Sequence, residues 1–147
     1  MTDLTTDAAA IEWLGVRYKT LLSAEQSDGA MSIVDSWSPP GSGPPRHIHA
    51  AEDETFVILT GTCKMWIEGT ETTVGPGESV FIPRGTNHTF KVIGDAPSRH
   101  LVILTPGGFE RFFSEMAEGQ FRIPDDMASI EASAKRHHLT LTGPPLE

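Results

Sequence analysis

Three histidines and one glutamate carry the most distinctive chemistry in this sequence. His47 and His49 are separated by one residue in GSGPPRHIHAAEDETFVILTG, Glu54 follows in the same stretch, and His88 comes later in PRGTNHTF. Side chains at positions i and i+2 of a β-strand point to the same face, so His47 and His49 can present two imidazoles side by side. Three neutral imidazoles and one carboxylate form a donor set for one divalent first-row metal ion.

Short strands separated by glycine-rich and proline-rich turns must position these side chains. Many short strands with regular turns indicate an antiparallel sandwich or barrel. The sequence predicts no long helix between the strands, which argues against a parallel sheet. Residues 11–22 are also strand-like, and 38–45 form an irregular loop because they hold four prolines and two glycines. The predicted strands are 31–37, 46–49, 54–60, 63–68, 72–74, 79–82, 88–93 and 98–104.

Two helices are predicted after the last of these strands, at 108–118 and 125–138, with Asp125 as the candidate cap of the second. The tail LTLTGPPLE is expected to add an edge strand or to pack as an arm. Each helix has an apolar face, formed in the first by Phe109, Phe112, Phe113 and Met116, and in the second by Met127, Ile130 and Ala134.

Composition limits the classes of partner and the cellular compartment. The 147 residues favour one domain, and a net charge of −9 disfavours nucleic acid and anionic membranes as partners, since both require a basic surface. Cys63 is the single cysteine, so no intrachain disulfide can form. The N-terminal residues show no signal peptide, and no apolar run reaches membrane-spanning length. A cytoplasmic location is therefore expected.

Two glycine-bounded blocks resemble the signature motifs of the cupin superfamily. Residues 41–61 read GX5HXHX4EX6G and residues 77–88 read GX5PXGX2H. The resemblance covers roughly 31–106 and departs from the family at Val92, where asparagine is usual. That position is not a metal ligand in the family.

The resemblance implies an all-β fold, an antiparallel jelly-roll barrel, followed by one or two short C-terminal helices. One cupin domain would span 1–147, with an N-terminal strand or arm over 1–30, the barrel core at about 31–106, and the helical segment and tail over 107–147. In cupins, the residues that match His47, His49, Glu54 and His88 ligate one metal ion. A homodimer is expected by resemblance, with residues 11–22 available for the contact.

Strand alternation predicts apolar walls around this site, which is the usual form of a small-molecule pocket. A divalent ion with one carboxylate ligand carries a charge of about +1, so it would attract an anion such as an enolate, a phenolate or a carboxylate. For His100, a role in the pocket stands beside the simpler alternative of a histidine bonded to backbone. The candidate pocket residues are Trp37, Phe56, Met65, Phe90, His100 and Phe109.

The segment TPGGFERFFSEMA and the tail resemble parts of small bacterial quercetinase-like cupins. This resemblance implies a dioxygenase that cleaves a flavonol or a similar enolic aromatic with O2, with Glu54 as both metal ligand and catalytic base. Fe, Ni, Mn, Co, Cu and Zn all suit the donor set. The alternatives are another cupin enzyme, such as an isomerase or decarboxylase, and a non-catalytic cupin that binds a small ligand. A thiol dioxygenase is disfavoured, because those sites typically lack the glutamate.

Other polar residues are expected to be structural. Glu52 and Asp53 are predicted to be solvated charges beside the strand that begins at Glu54. His137 and His138 are predicted to be exposed at a helix C-terminus, where a cation suits the helix dipole. Cys63 follows a turn and is expected to be a small buried residue.

Overall fold

The computed structural model describes residues 2–147, which contain eleven strands and two short helices. None of the helices in this range is long and apolar enough to cross a membrane. In chain order the elements are β1 (Ile11–Trp13), β2 (Val16–Leu22), β3 (Ser32–Ser38), β4 (Arg46–His49), β5 (Asp53–Thr60), β6 (Thr62–Ile67), β7 (Thr70–Val74), β8 (Ser79–Ile82), β9 (His88–Ile93), β10 (Ser98–Thr105), α1 (Glu110–Gly119), α2 (Met127–Arg136) and β11 (Leu139–Gly143).

The strands form two antiparallel sheets. The six-stranded sheet has the order β1-β2-β3-β10-β5-β8, and the five-stranded sheet has the order β11-β4-β9-β6-β7. Several successive strands, from β3 to β6, alternate between the two sheets, as the long connections of a jelly roll require. The predicted all-β, antiparallel jelly roll with one or two short C-terminal helices is confirmed.

Most predicted ends of strands and helices lie within two residues of the observed ends, but two predictions were wrong. The strand-like stretch 11–22 forms two strands rather than one, because Leu14 and Gly15 both have positive φ angles and make a tight turn between β1 and β2. The second helix begins at Met127, and Asp126 rather than Asp125 occupies its N-cap position, without a side-chain capping bond.

The C-terminal tail supplies β11, which adds to the edge of the five-stranded sheet beside β4. Leu139 lies opposite His49 and Leu141 lies opposite His47 in this pairing. The last strand of the chain therefore holds in place the strand that carries both closely spaced histidines.

The hydrophobic core lies between the sheets and continues under the helices. Inward-facing strand residues alternate with outward-facing ones, and each large apolar side chain that is fully buried contributes roughly 1.5–3 kcal/mol. The buried cluster includes Val34, Phe56, Ile58, Cys63, Met65, Val74, Ile82, Val92, Val102 and Leu104 from the strands, and Phe109, Phe112, Met116, Ile130 and Ala134 from the helical segment.

Polar contacts with Glu115 join the two helices. Its carboxylate accepts hydrogen bonds from Ser133 and from Arg136, at 2.8 Å for the arginine, and lies 2.9 Å from His137 Nε2. The Ser133 and His137 bonds are the main reasons that the pKa of Glu115 falls to about 2. The prediction that His137 is solvated was therefore wrong, whereas His138 is exposed.

The outer face of the six-stranded sheet is partly covered by the N-terminal segment. Asp35 and Arg99 form a buried ion pair on this face, with N–O distances of 3.0 and 2.6 Å. Leu4 is buried, and its carbonyl accepts a 2.7 Å hydrogen bond from Arg17 Nε. The segment around Leu4 therefore packs as an arm, and the paired charges compensate for the desolvation of this face.

Candidate metal centre

The structure brings together the four residues that the sequence singled out. His47 and His49 project from β4, His88 from β9 and Glu54 from β5, and one donor atom from each lies within 4.8 Å of the others. All four side chains are buried. His47 and His88 are direct partners across the β4–β9 ladder, so two imidazoles meet from adjacent strands. The five-stranded sheet thus supplies three imidazoles, and the facing sheet supplies the carboxylate.

Backbone carbonyls orient two of the imidazoles. His47 Nδ1 lies 2.7 Å from the Pro45 carbonyl oxygen, and His88 Nδ1 lies 2.9 Å from the Thr86 carbonyl oxygen. Since a carbonyl can only accept, each Nδ1 must carry the hydrogen, which leaves the Nε2 lone pair free in a neutral ring. Free Nε2 lone pairs are what a metal ion requires of histidine ligands.

Glu54 is an anion in the middle of this group. Its Oε2 lies 3.0 Å from His49 Nε2 and its Oε1 lies 3.3 Å from His88 Nε2. Burial by itself raises the pKa of the carboxyl, but the charge and hydrogen bond of His49, with the His88 contact, outweigh burial and hold the pKa well below its usual value. The carboxylate is therefore ionised at neutral pH.

His49 carries the compensating positive charge when no ion is bound. Burial lowers its pKa, but Glu54 and Glu52 outweigh that effect and raise the pKa to about 9. His47 lacks such a partner at comparable range, and burial lowers its pKa to about 3. Glu54 is thus a buried anion with imidazoles aimed at it, and His49 holds a proton that can be exchanged. This arrangement fits a divalent cation that displaces the proton.

Glu52 is a part of the centre that sequence reasoning missed. It was predicted to be solvated, but it is only 6% exposed and its Oε1 lies 3.3 Å from His49 Nδ1. The connection between β4 and β5 is only three residues long, 50–52, so Glu52 cannot move far from His49. That short spacing was the available signal. Asp53, by contrast, bonds to the exposed Arg84 at 2.9 Å through the backbone N–H.

Most of the predicted pocket residues line the interior beside the four-residue centre. The rings of Phe56, Phe90 and His100 contact one another edge-on, with centroids 5.3–5.5 Å apart. Met65 is buried and lies opposite Phe90 in the β6–β9 ladder. Phe109, which precedes α1, places its ring 4.5 Å from the His49 ring. The helical segment therefore covers the imidazole of a candidate ligand.

Trp37 does not join this site, and the expectation that it lines the pocket was wrong. It lies opposite Arg99 in the β3–β10 ladder and shares the outer face of the sheet with Asp35. The inward-facing residues of β3 are Ser36 and its even-numbered neighbours. Apolar side chains occur on both faces of β3, so hydrophobicity alone did not identify the inner one.

His100 is bonded to a side chain and not to backbone. Its Nδ1 lies 3.1 Å from Ser98 Oγ, and the Cys63 thiol donates to the same oxygen over 3.4 Å. Burial lowers the pKa of His100 to about 4, although Glu54 acts in the opposite direction. The ring is therefore neutral at pH 7. Cys63 is only 1% exposed, as expected for a small core residue.

Val92, the departure from the second motif, fills core space and anchors the irregular loop. Its N–H donates to the Ser42 carbonyl and its carbonyl accepts from the Gly41 N–H, both at 2.9 Å. A Cβ at Gly43 would lie 2.1 Å from the Phe90 carbonyl oxygen, so only glycine permits this close approach. The loop is thereby fixed against β9 just before His47.

Comparison with known proteins identifies the family of this fold. Residues 38–104 match a family described as "Cupin domain". The structure superimposes on KdgF from Halomonas sp. with a TM-score of 0.60 and 18% sequence identity, over 66% of this chain and 84% of that one. A predicted oxalate decarboxylase from Thermotoga maritima gives a TM-score of 0.58 with 26% identity, over 62% and 80% of the two chains.

Sequence similarity also extends to an enzyme with a named activity. This chain is 30% identical over 102 residues to the quercetin 2,3-dioxygenase of Bacillus subtilis (strain 168). The aligned part is 69% of this chain but only 30% of that protein. The similarity therefore concerns less than a third of the relative's length.

Proposed function

The chain belongs to the cupin superfamily, and on that premise we propose that it is a metal-dependent oxygenase of the quercetinase-like type. Its substrate would be a small enolic or phenolic aromatic, with O2 as the second substrate. The observation that carries this proposal is the buried cluster of three histidines and one glutamate beside aromatic walls. The 30% identity to a quercetin 2,3-dioxygenase supports the choice of reaction.

His47, His49, Glu54 and His88 would hold one divalent transition metal ion. Fe, Ni, Mn, Co, Cu and Zn all suit three nitrogen donors and one oxygen donor. When bound, such an ion supplies Lewis acidity and, if it is redox-active, one-electron chemistry toward O2. Glu52 would keep the His49 ring in place from the side opposite Glu54.

Glu54 is the proposed catalytic base as well as a ligand. It is the carboxylate whose two oxygens face the imidazoles, and it is ionised at neutral pH. A carboxylate oxygen that loosens from its imidazole contact could accept the proton of a substrate hydroxyl and leave the substrate as an enolate or phenolate. Phe56 and Phe109, which are both buried, would keep water from this anion.

A second candidate is a decarboxylase that uses the same four residues. It is favoured by the 26% identity to the predicted oxalate decarboxylase from Thermotoga maritima. The two reactions differ in a measurable way, because simple decarboxylation causes no net uptake of O2. A non-catalytic cupin that binds a small ligand would show neither O2 uptake nor turnover.

The test first measures the metal content of the purified protein by mass spectrometry. For each metal found, O2 uptake is then measured with a flavonol as substrate. We expect about one equivalent of metal and O2 uptake by the wild-type protein. His49→Ala should lose the metal and the uptake while remaining folded by circular dichroism. His138→Asn is the matched control, because His138 is exposed and asparagine tolerates its left-handed backbone conformation.

Three outcomes would contradict parts of the proposal. Full metal content in His49→Ala would remove His49 from the ligand set. Metal without O2 uptake would overturn the oxygenase and favour a decarboxylase or a binding protein. No metal, even after reconstitution, would overturn the metal centre itself.

Pairing of two copies stays a prediction of the family resemblance. Residues 11–22 form β1 and β2, and β1 is the outermost strand of the six-stranded sheet. Leu14 and Leu21, which are 49% and 48% exposed, lie in this region. Light scattering on the wild-type protein and on Leu21→Lys would test it, with a dimer expected only for the wild type.

A further inference from the structure

The interior contains a second polar patch, away from the four-residue centre. Ser36 and Ser38 on β3 and Ser98 and His100 on β10 are all buried and occupy the inward-facing positions of these strands. Ser36 lies opposite His100, and Ser38 lies opposite Ser98. Opposite residues in an antiparallel pair have Cβ atoms about 4.5–5.5 Å apart, so the four side chains form one patch.

A short chain of hydrogen bonds decides which nitrogen of His100 carries its hydrogen. The Cys63 thiol donates to Ser98 Oγ, and Ser98 Oγ lies 3.1 Å from His100 Nδ1. Ser98 is fully buried, and among residues 2–147 His100 Nδ1 is the acceptor found for its hydroxyl hydrogen. The serine therefore donates to Nδ1, and the neutral ring carries its own hydrogen on Nε2.

Three polar atoms of this patch lack a hydrogen bond within residues 2–147. Ser38 Oγ is sealed from solvent, whereas Ser36 Oγ and His100 Nε2 are not, so these two border space that water can enter. Nε2 is at the tip of an inward-facing side chain, and Ser36 lies directly opposite it on the neighbouring strand. Buried polar groups are normally satisfied, so these atoms need an explanation.

The surroundings fit a flat ligand. Phe90 faces inward but is half-buried rather than buried, so the interior opens to solvent beside its ring. Phe56, Phe90 and His100 contact one another edge-to-face, so they form an aromatic wall beside the patch. Leu104 is the residue of β10 opposite Glu54, and His100 lies four residues before it along the strand. The patch is therefore displaced from the metal centre by more than one side chain along β10.

We infer that His100, together with Ser36 opposite it, forms a polar subsite that binds an oxygen of the substrate remote from the metal centre, with His100 Nε2–H as donor. This inference rests on the proposed function, since it specifies the substrate class of the same interior. The substrate is then an aromatic of two or more rings with the enolic group at one end and a hydroxyl or carbonyl oxygen at the other. A single-ring enol would leave the subsite empty.

Two flavonols separate this subsite from the rest of the pocket. Quercetin and 3-hydroxyflavone share the enolic group, but the latter lacks the hydroxyls on the outer rings. Binding to the metal-loaded protein would be measured by calorimetry, and turnover by O2 uptake. We expect the wild type to bind quercetin roughly five- to tenfold more tightly, the usual effect of one hydrogen bond.

Three variants test the assignment. His100→Phe keeps a ring against Phe56 and Phe90 but removes the donor, so the preference for quercetin over 3-hydroxyflavone should disappear. Ser36→Ala removes little volume, which keeps the test valid if His100→Phe does not fold, and it should reduce the preference. Ser129→Ala, on the exposed face of α2, is the control and should retain the full preference.

The outcomes separate the subsite from the reaction. If the protein takes up O2 but both variants still prefer quercetin to 3-hydroxyflavone, the subsite is overturned and the oxygenase proposal stands. If no O2 is taken up but the variants lose the wild-type preference for binding quercetin, the oxygenase proposal is overturned and the subsite is supported. Failure of both flavonols to bind would overturn this inference and the proposed substrate class together, while the metal content still reports on the centre.

The tautomer of His100 can be measured directly. Two-bond proton–nitrogen correlation spectra should show hydrogen on Nε2 in the wild type, and a mixture of tautomers in Ser98→Ala. A purely structural role for His100 would give no change in its Nε2 signal when quercetin is added. Hydrogen on Nδ1 in the wild type would overturn the donor role.

Discussion

Two buried histidines, His49 and His100, face the same interior in opposite electrostatic surroundings. They are 3% and 2% exposed, so burial is the same for both. The pKa of His49 is raised to about 9, whereas the pKa of His100 is lowered to about 4. Burial alone favours the neutral imidazole, and only the two carboxylates beside His49 reverse that preference. Burial therefore does not decide what a buried histidine can do; its hydrogen-bond partners do.

The difference also separates the chemistry of the two regions. At His49, paired carboxylates hold a positive charge that a metal ion could replace. At His100, the partner is the uncharged Ser98 hydroxyl, so the ring is a neutral donor and cannot compensate an anion. A substrate that spans both regions would have its charged group at one end and its neutral polar group at the other.

The largest effect is expected from Glu54→Gln, which removes the central anion and makes the region of His49 resemble that of His100. Metal affinity should fall by more than about 100-fold, which is the upper range for loss of a residue that only supports a ligand. Competition with a chelator of known affinity measures the change. Glu131→Gln, on the exposed surface of α2, should bind metal like the wild type. Equal metal affinity in Glu54→Gln would show that the carboxylate is not a ligand.

An effect of intermediate size, on the stability of the fold, is expected when the pH of the metal-free protein is lowered. The unfolded chain protonates His100 near its ordinary pKa of 6.5, but the folded protein does so only near a pKa of about 4, so stability is lost as pH falls between these values. The gap between the two pKa values corresponds to about 3 kcal/mol in unfolding free energy.

Urea denaturation of the wild type and of His100→Phe between pH 7 and pH 4 measures this contribution. The stability of the wild type should decline more steeply than that of the variant. If stability falls with pH equally in the two proteins, His100 is protonated equally easily in the folded and unfolded states. His100 would then not differ from His49 in the way described above.

The smallest of these effects is expected from Glu52→Gln, which removes one of the two carboxylates beside His49. Loss of such a partner typically reduces metal affinity by roughly 10- to 100-fold, and the fold should be unchanged. Asp53→Asn is the neighbouring control, because Asp53 bonds to the exposed Arg84 and such ion pairs contribute little. If both variants bind metal equally well, Glu52 does not position His49.

Much of the fold could be predicted from local patterns. β4, β8 and β9 have the predicted bounds, because turns containing glycine or proline separate short β-branched and aromatic stretches. Errors arose where a short turn divides 11–22, where Glu52 turns back onto His49 three residues earlier, and where the environment of Trp37 depends on another part of the chain. The N-terminal arm covers the outer face of β3, and this contact joins residues that are far apart in the sequence.

The sequence by itself determined the donor types, their spacing and the period-two alternation that puts His47 and His49 on one face, because these are properties of a single strand. Only the tertiary structure decided that Glu54 meets the three histidines from the facing sheet. It also joined Cys63 of β6 to Ser98 and His100 of β10 across the two sheets. Hydrogen bonds and pKa values depend on atoms a few ångströms apart, and in a jelly roll such atoms come from distant parts of the chain.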